Sequence, residues 1–312
     1  MCYTPVTKLK SEQLHKAADD IMTDQIFSPD PQIPGWFFDT GDLPVFEQRG
    51  PLTVRLARTA VEVEAVQALR YQIFYEEMSA RPSAAQAAAT RDFDDYDAVC
   101  DHLILTTRAA TEHVTEAAHL PSGETIVGCY RLLRQSVAET HGGFYSADEF
   151  DLKPMLEKAG RGLNIMELGR SCVAPEYRTK LGIDLMWHGL GAMVSHYGID
   201  AMMGCASFAG TDVDALAEPL SYLYHTRRTL GPWEVRALSE RFVDMNILPA
   251  DTINERAALR AIPPVLRGYV RTGCMIGNGA VIDHQFQTVD VFVLMPLTAV
   301  EDRYMARYGQ TG

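Results

Sequence analysis

The chain has 312 residues, enough for one large domain or for a domain with a substantial extension. Its 47% hydrophobic and 22% charged residues are those of an ordinary globular protein and exclude a disordered one. A formal net charge of −13 excludes a general nucleic-acid binder, which needs a basic surface to displace counterions; a local basic patch stays compatible with it.

Six cysteines (Cys2, Cys100, Cys129, Cys172, Cys205 and Cys274) lie far apart, mostly in apolar strand-like runs, with no CxxC or Cys/His metal spacing. They read as reduced core thiols, as in a cytoplasmic protein. The N-terminus lacks the basic-then-apolar layout of a signal peptide. No apolar run approaches the roughly 20 residues that cross a bilayer, so work at a membrane would be from its surface.

Residues 1–50 form an N-terminal arm, with a predicted helix over Lys8–Thr23 and then a wrapping stretch rich in Pro, Gly and aromatics. Leu52–Arg58 alternates as a strand, and Thr59 caps a helix whose Val63, Val66, Leu69 and Ile73 recur at helical spacing. Ala84–Thr90 is alanine-rich and reads as a loop or lid. Strands follow at His102–Thr107 and Thr125–Leu133, then a helical or irregular stretch over Gly142–Arg161. A strand over Leu163–Val173 leads to a helix from Lys180 to Tyr197, which Gly198 ends, and Ala201–Ser207 is again a strand. The order β–α–β–β–β–α–β over 51–210 predicts a mixed α/β core sheet flanked by helices. Residues 211–312 add a C-terminal extension packed on that core. It has one helix carrying Tyr222, Tyr224, Arg227 and Arg228, another over Thr252–Ala261, and strands over Arg267–Ile276 and Thr288–Met295 joined through Gly277–Asn278–Gly279.

The most informative stretch is Met166–Glu167–Leu168–Gly169–Arg170–Ser171–Cys172–Val173. Ionisable groups in an apolar strand are costly to bury unless paired. In strict alternation Glu167 and Arg170 face opposite sides of the sheet, and a β-bulge near Gly169 would reconcile them. The strand runs through Ala174–Pro175–Glu176–Tyr177–Arg178 into a helix whose start offers free N–H groups to a phosphate.

That strand order, with Val173–Ala174–Pro175–Glu176–Tyr177–Arg178 between strand and helix, resembles the GNAT N-acyltransferase superfamily. There a V-x-P-x-x-R-x-x-G-x-G/A run binds the donor's pantetheine and pyrophosphate. Here Leu181 and Ile183 replace the two glycines, with Gly182 between them. Such a loop is compatible with the single phosphodiester of phosphopantetheine on an acyl carrier protein. Arg70 with Phe74, Asp94 with Asp97, Gly128 with Arg131, and Glu167 with Arg170 also resemble, in order, the signature of acyl-homoserine-lactone synthases. Gly204–Cys205–Ala206–Ser207–Phe208, Arg267–Gly268–Tyr269 and Gly279–Ala280–Val281–Ile282–Asp283 are similar to blocks of the bacterial L-ornithine Nα-acyltransferases. The likeness covers about residues 52–308.

This resemblance implies transfer of a 3-hydroxyacyl group from acyl-acyl carrier protein to the α-amine of ornithine, giving lyso-ornithine lipid. It implies no cofactor beyond the donor's phosphopantetheine arm, no metal, and transient contact of a cytoplasmic protein with the inner membrane. Glu167 is then the expected base for the amine, directly or through a water, and the backbone N–H of Val173 the expected oxyanion donor. Arg70, Arg131 and Arg170 would bind the acceptor's carboxylate, Asp94 and Asp97 its ammonium groups, and Phe74 would border the same site. Arg178, Lys180 and Gly182 would hold the donor phosphate. Arg178 and Lys180, with Arg227 and Arg228, would also dock the acidic carrier. The competing reading makes the arginines and acids internal ion pairs, and both can hold together.

The rival functions are the same chemistry on another amino acid such as glutamine, a lactone synthase, or a non-catalytic carrier-binding module. Cys172 and Cys205 read as core residues rather than nucleophiles, since no His stands at an informative spacing. His15 and Asp20 share an H-x4-D spacing in a segment with no supporting context, and Asp283–His284 reads as a turn between strands. Met275, Phe292, Leu294 and Met295 suit either an acyl tunnel or core packing.

Overall fold

A computed structural model describes residues 45–158 and 162–297. The predicted helix over Lys8–Thr23, His15, Asp20, Cys2 and nearly all of the arm lie outside the described residues.

Local rules explain the first helix. Thr59 Oγ1 accepts the Glu62 N–H while the Glu62 carboxylate accepts the Thr59 N–H, a reciprocal cap that starts α1, Ala60–Tyr71. Strands β1, Glu47–Arg49, and β2, Leu52–Leu56, precede it. The last turn of α1 widens into a π-helical segment, Gln72–Glu77, that carries Phe74 and Tyr75. The alanine-rich run is a helix, α2, Ala84–Ala89, rather than a loop. Ser83 and Gln86 cap it reciprocally, and alanine's high helix propensity does the rest.

β3, Asp101–Thr107, and β4, Thr125–Arg134, match their predicted places. A short helix α3, Gln135–Ala138, follows β4, and the stretch expected to be helical or irregular holds a 3₁₀ turn at Tyr145–Asp148, β5, Phe150–Asp151, and α4, Lys153–Lys158. β6, Ile165–Val173, α5, Lys180–Tyr197, and β7, Ala201–Ala209, follow as expected.

In the last third, α6, Ala217–Arg227, carries the tyrosines, β8, Arg236–Ala237, is a short bridge, and α7 is Glu255–Ala261. One expectation fails here. The predicted strand over Arg267–Ile276 is instead a helix α8, Pro264–Thr272, buried through Leu266 and Val270, ended by Gly273 and followed by β9, Met275–Asp283. Gly277–Asn278–Gly279 therefore lies inside β9, and the turn to β10, Thr288–Pro296, is made at residues 284–287.

The strands form one sheet in the order β1-β2-β3-β4-β6-β7-β10-β9-β8-β5. β10 pairs with β7 along its whole length, Thr288 with Ala209 through Pro296 with Ala201. The C-terminal strands thus complete the central sheet instead of packing against it. Two apolar clusters line the sheet: one includes Leu69, Leu185, Met186 and Leu190, the other Phe144, Phe150, Met155, Ile165, Met203 and Phe292. Phe292, Leu294 and Met295 are buried in these clusters. Among the described residues, no helix is long and apolar enough to cross a membrane.

Candidate active site

The sheet forks at its centre. β6 and β7 run parallel and pair only over Ile165–Glu167 and Ala201–Met203. Beyond that, β6 stays with β4 as far as Val173, and β7 stays with β10 as far as Ala209, so their facing edges part. Gly204 sits at the fork because the Leu168 carbonyl occupies the space a Cβ would need.

The predicted bulge is present, one residue later than placed. Cys129 pairs with Cys172 but Arg131 with Gly169, so Arg170 and Ser171 together oppose Tyr130, and Arg170 takes a left-handed φ of 48°. This brings Arg170 into the charged network of Arg131. Arg70 Nη1 and Nη2 meet the two Asp97 oxygens at 2.9 and 2.5 Å, and its Nε lies 2.8 Å from Asp92. Arg131 Nη1 bridges Asp94 at 2.5 Å and Asp97 at 3.1 Å. Arg170 reaches Asp92 at 3.2 Å, Asp94 at 3.0 Å and the Tyr145 hydroxyl at 3.3 Å.

Three guanidinium groups thus alternate with three carboxylates, and the charges cancel. Burial raises the Asp97 pKa, but Arg70 and Arg131 outweigh that and hold it well below the usual carboxylate range. Arg70 and Asp97, expected at the acceptor, are both buried and paired with each other. Asp94 is the most open member and the one left able to contact a ligand. Phe74 is buried as well, edge-on to Phe286 with ring centres 5.7 Å apart. Phe286 also lies under the Arg170 guanidinium, so the β9–β10 turn closes one side of the network.

Glu167 stands at the apex of the fork, but the residue is only 4% exposed. It accepts the N–H groups of Tyr145 and Ser146, each at 2.7 Å, and the Ser146 hydroxyl. Burial pushes its pKa up, and these donors pull against that. The carboxylate, expected as the base directly or through a water, pins the 145–146 segment, whose Tyr145 ring and hydroxyl support Arg170.

Val173 ends β6. The Ala174 N–H bonds Val127 across β4 at 2.8 Å, so alternation turns the Val173 N–H to the opposite edge, towards the fork. The Val173 carbonyl accepts Arg178 Nε at 2.9 Å. Arg178 also forks onto Glu77 at 2.6 and 2.7 Å and so braces the loop. Lys180 is exposed at the start of α5, next to Thr179, whose hydroxyl accepts the Gly182 N–H at 3.2 Å. A Cβ at Gly182 would strike the Tyr177 carbonyl, which explains a glycine in the first turn of α5. Arg228 is engaged with the Tyr224 hydroxyl at 2.7 Å.

A second group was missed. The carboxylates of Glu149, Asp283 and Asp290 lie within 4.8 Å of one another, on the sheet face shared with Glu167 and Cys205. Burial, then the charge of Asp290, pushes Glu149 up to about 7, and burial pushes Asp290 up to about 6. Arg241 meets Glu149 at 3.0 Å, and Cys205 Sγ lies 3.4 Å from it and 3.3 Å from Ser146 Oγ. The signal was available: Asp290 is a charge in the apolar run Val289–Val293, the criterion that singled out Glu167. The described cysteines are free, and burial pushes the thiols of Cys172 and Cys205 up, as for core residues; for Cys172 a hydrogen bond with Cys129 leads. A cavity of about 420 Å³ lined by Ala138, Phe144, Phe150, Leu152 and Leu156 includes none of the predicted site residues.

The acetyltransferase (GNAT) domain family matches residues 69–188, from the last turn of α1 through the first half of α5, and so includes β6 and its loop. The L-ornithine N(alpha)-acyltransferase of Agrobacterium fabrum is 44% identical over 265 residues, 85% of this chain and 87% of the relative. That of Brucella abortus is 43% identical over 273 residues, 88% of this chain and 94% of the relative. The structure of FeeM, an N-acyl amino acid synthase from uncultured soil microbes, is a distant likeness: TM-score 0.40 and 8% identity, covering 82% of this chain and 94% of that one. Matching such relatives over most of its length, the chain belongs to the L-ornithine N(alpha)-acyltransferase family of GNAT-type acyltransferases.

Proposed function

We propose that this acyltransferase moves a 3-hydroxyacyl group from the phosphopantetheine thiol of acyl carrier protein to the α-amine of L-ornithine, giving a lyso-ornithine lipid. The fork between β6 and β7 carries this reading. Its two unpaired strand edges offer backbone groups to the amides of a pantetheine arm, and the Val173 N–H faces the same opening.

In the reaction the amine nitrogen attacks the thioester carbonyl, a C–N bond forms and the C–S bond breaks. The amine gives up one proton and the departing carrier thiolate takes one up, so no oxidant or co-reactant is needed. The Val173 N–H meets the developing oxyanion. Asp94 and Arg170 border the acceptor, and Glu167 holds the Tyr145–Ser146 segment that supports Arg170. Lys180 and the capped start of α5 suit the donor's phosphodiester, with Arg178 and Glu77 holding the loop. An amphiphilic product fits transient contact with the inner-membrane surface.

Incubation of the purified protein with 3-hydroxyacyl-acyl carrier protein and L-ornithine tests this. The expected result is free carrier thiol and an Nα-amide of matching mass in equal amounts. Absence of amide product with every amino acid tried overturns the assignment.

A further inference from the structure

We propose that Glu149, Asp283 and Asp290 form the subsite for the side-chain ammonium of the amino-acid acceptor, a primary alkylammonium at the end of a short diamino acid. The inference rests on the acyltransferase reading and names what selects its acceptor.

The acids first expected to bind that group, Asp94 and Asp97, already have cationic partners. Asp92, Asp94 and Asp97 are matched by Arg70, Arg131 and Arg170, and the network is neutral without a ligand. The second group is not matched. Three carboxylates within 4.8 Å of one another have one guanidinium bonded among them, Arg241 on Glu149. Asp290 is 6% exposed; the Ser207 and Thr288 hydroxyls stand beside its carboxyl group, yet its Oδ1 is buried with no hydrogen-bond partner among the described residues. A buried carboxylate oxygen with no donor is costly, and an ammonium carrying three N–H donors meets that deficit.

Position fits as well. Ser207 pairs across the sheet with Asp290, and Cys205 with Phe292, so the group lies against the part of β7 that walls the fork. Glu149 closes the same 3₁₀ turn whose Tyr145 and Ser146 are pinned by Glu167. An acceptor with its α-amine in the fork can extend its side chain along this wall. Asp283 is half-buried at the end of β9 and gives the group its opening. A fixed anionic pocket also rejects an isosteric acceptor lacking the ammonium, which would leave the carboxylates unpaired.

The test compares L-ornithine with L-norvaline, which lacks the δ-amine, by turnover and by calorimetric binding to the full chain. Wild type should prefer ornithine, and Asp290→Asn and Asp283→Asn should each cut the ornithine-to-norvaline ratio at least tenfold. Asp283→Asn changes a half-buried position and serves if Asp290→Asn does not fold. The binding arm stands even if no acylation is detected, so its failure is separate from that of the acyltransferase reading. Equal losses for both amino acids would overturn the subsite. So would stoichiometric binding of Mn²⁺ or Ca²⁺ that Asp283→Asn abolishes while ornithine binding stays intact.

Discussion

Arg70 and Asp97 meet through two hydrogen bonds, at 2.9 and 2.5 Å, with both side chains buried under the site. Removing one partner leaves the other charge buried and unpaired, which costs about 3–5 kcal/mol. Asp97→Asn and Arg70→Met should therefore lower unfolding free energy by that amount in urea titrations. A full loss of activity in a variant of wild-type stability would instead give the pair a direct role with substrate.

Glu167→Gln sets an amide N–H₂ against the N–H donors of Tyr145 and Ser146. The variant should be about 1–3 kcal/mol less stable and lose at least tenfold in kcat, while its pH–rate profile keeps its shape. Loss of the acidic limb of that profile would restore the base role.

Burial and Asp290 raise the Glu149 carboxyl from its ordinary 4.5 to about 7. Between those values the folded protein holds a proton that the unfolded chain has released, so this group's contribution to stability falls as pH rises. Without ornithine, Glu149→Gln should thus gain on wild type by on the order of 2 kcal/mol between pH 4.5 and 8. Denaturation at the two pH values checks it, and a constant difference would contradict it.

Gly182→Ala places a Cβ against the Tyr177 carbonyl, a backbone atom that cannot swing aside. A cost of about 1–3 kcal/mol and a raised KM for the carrier-linked donor are expected, with the KM for ornithine unchanged. Equal change in both KM values would place the loop outside the donor site.

Most of the elements were legible because their signals are local. The helical spacing of Ile183, Met186, Leu190 and Met193, closed by Gly198, marks α5 and its end. The bulge at Arg170 was legible too, since an acid and a base three apart in one strand needed it to share a face. The alanine run and α8 were misjudged where caps rather than apolar runs decide the state: Ser83 starts one, and Gly273 ends the other before β9 begins.

The sequence by itself determined the family, the placing of the β6–loop–α5 unit and the Val173 position, because backbone hydrogen bonding and side-chain spacing act over a few residues. Only the tertiary structure decided which charges are spent on one another. Arg70 finds Asp97, Glu167 finds Ser146, and Glu149 finds Asp283 and Asp290 across long stretches of chain. Buried charges must be balanced by whatever the sheet brings beside them, and that neighbourhood exists only once the strands are paired.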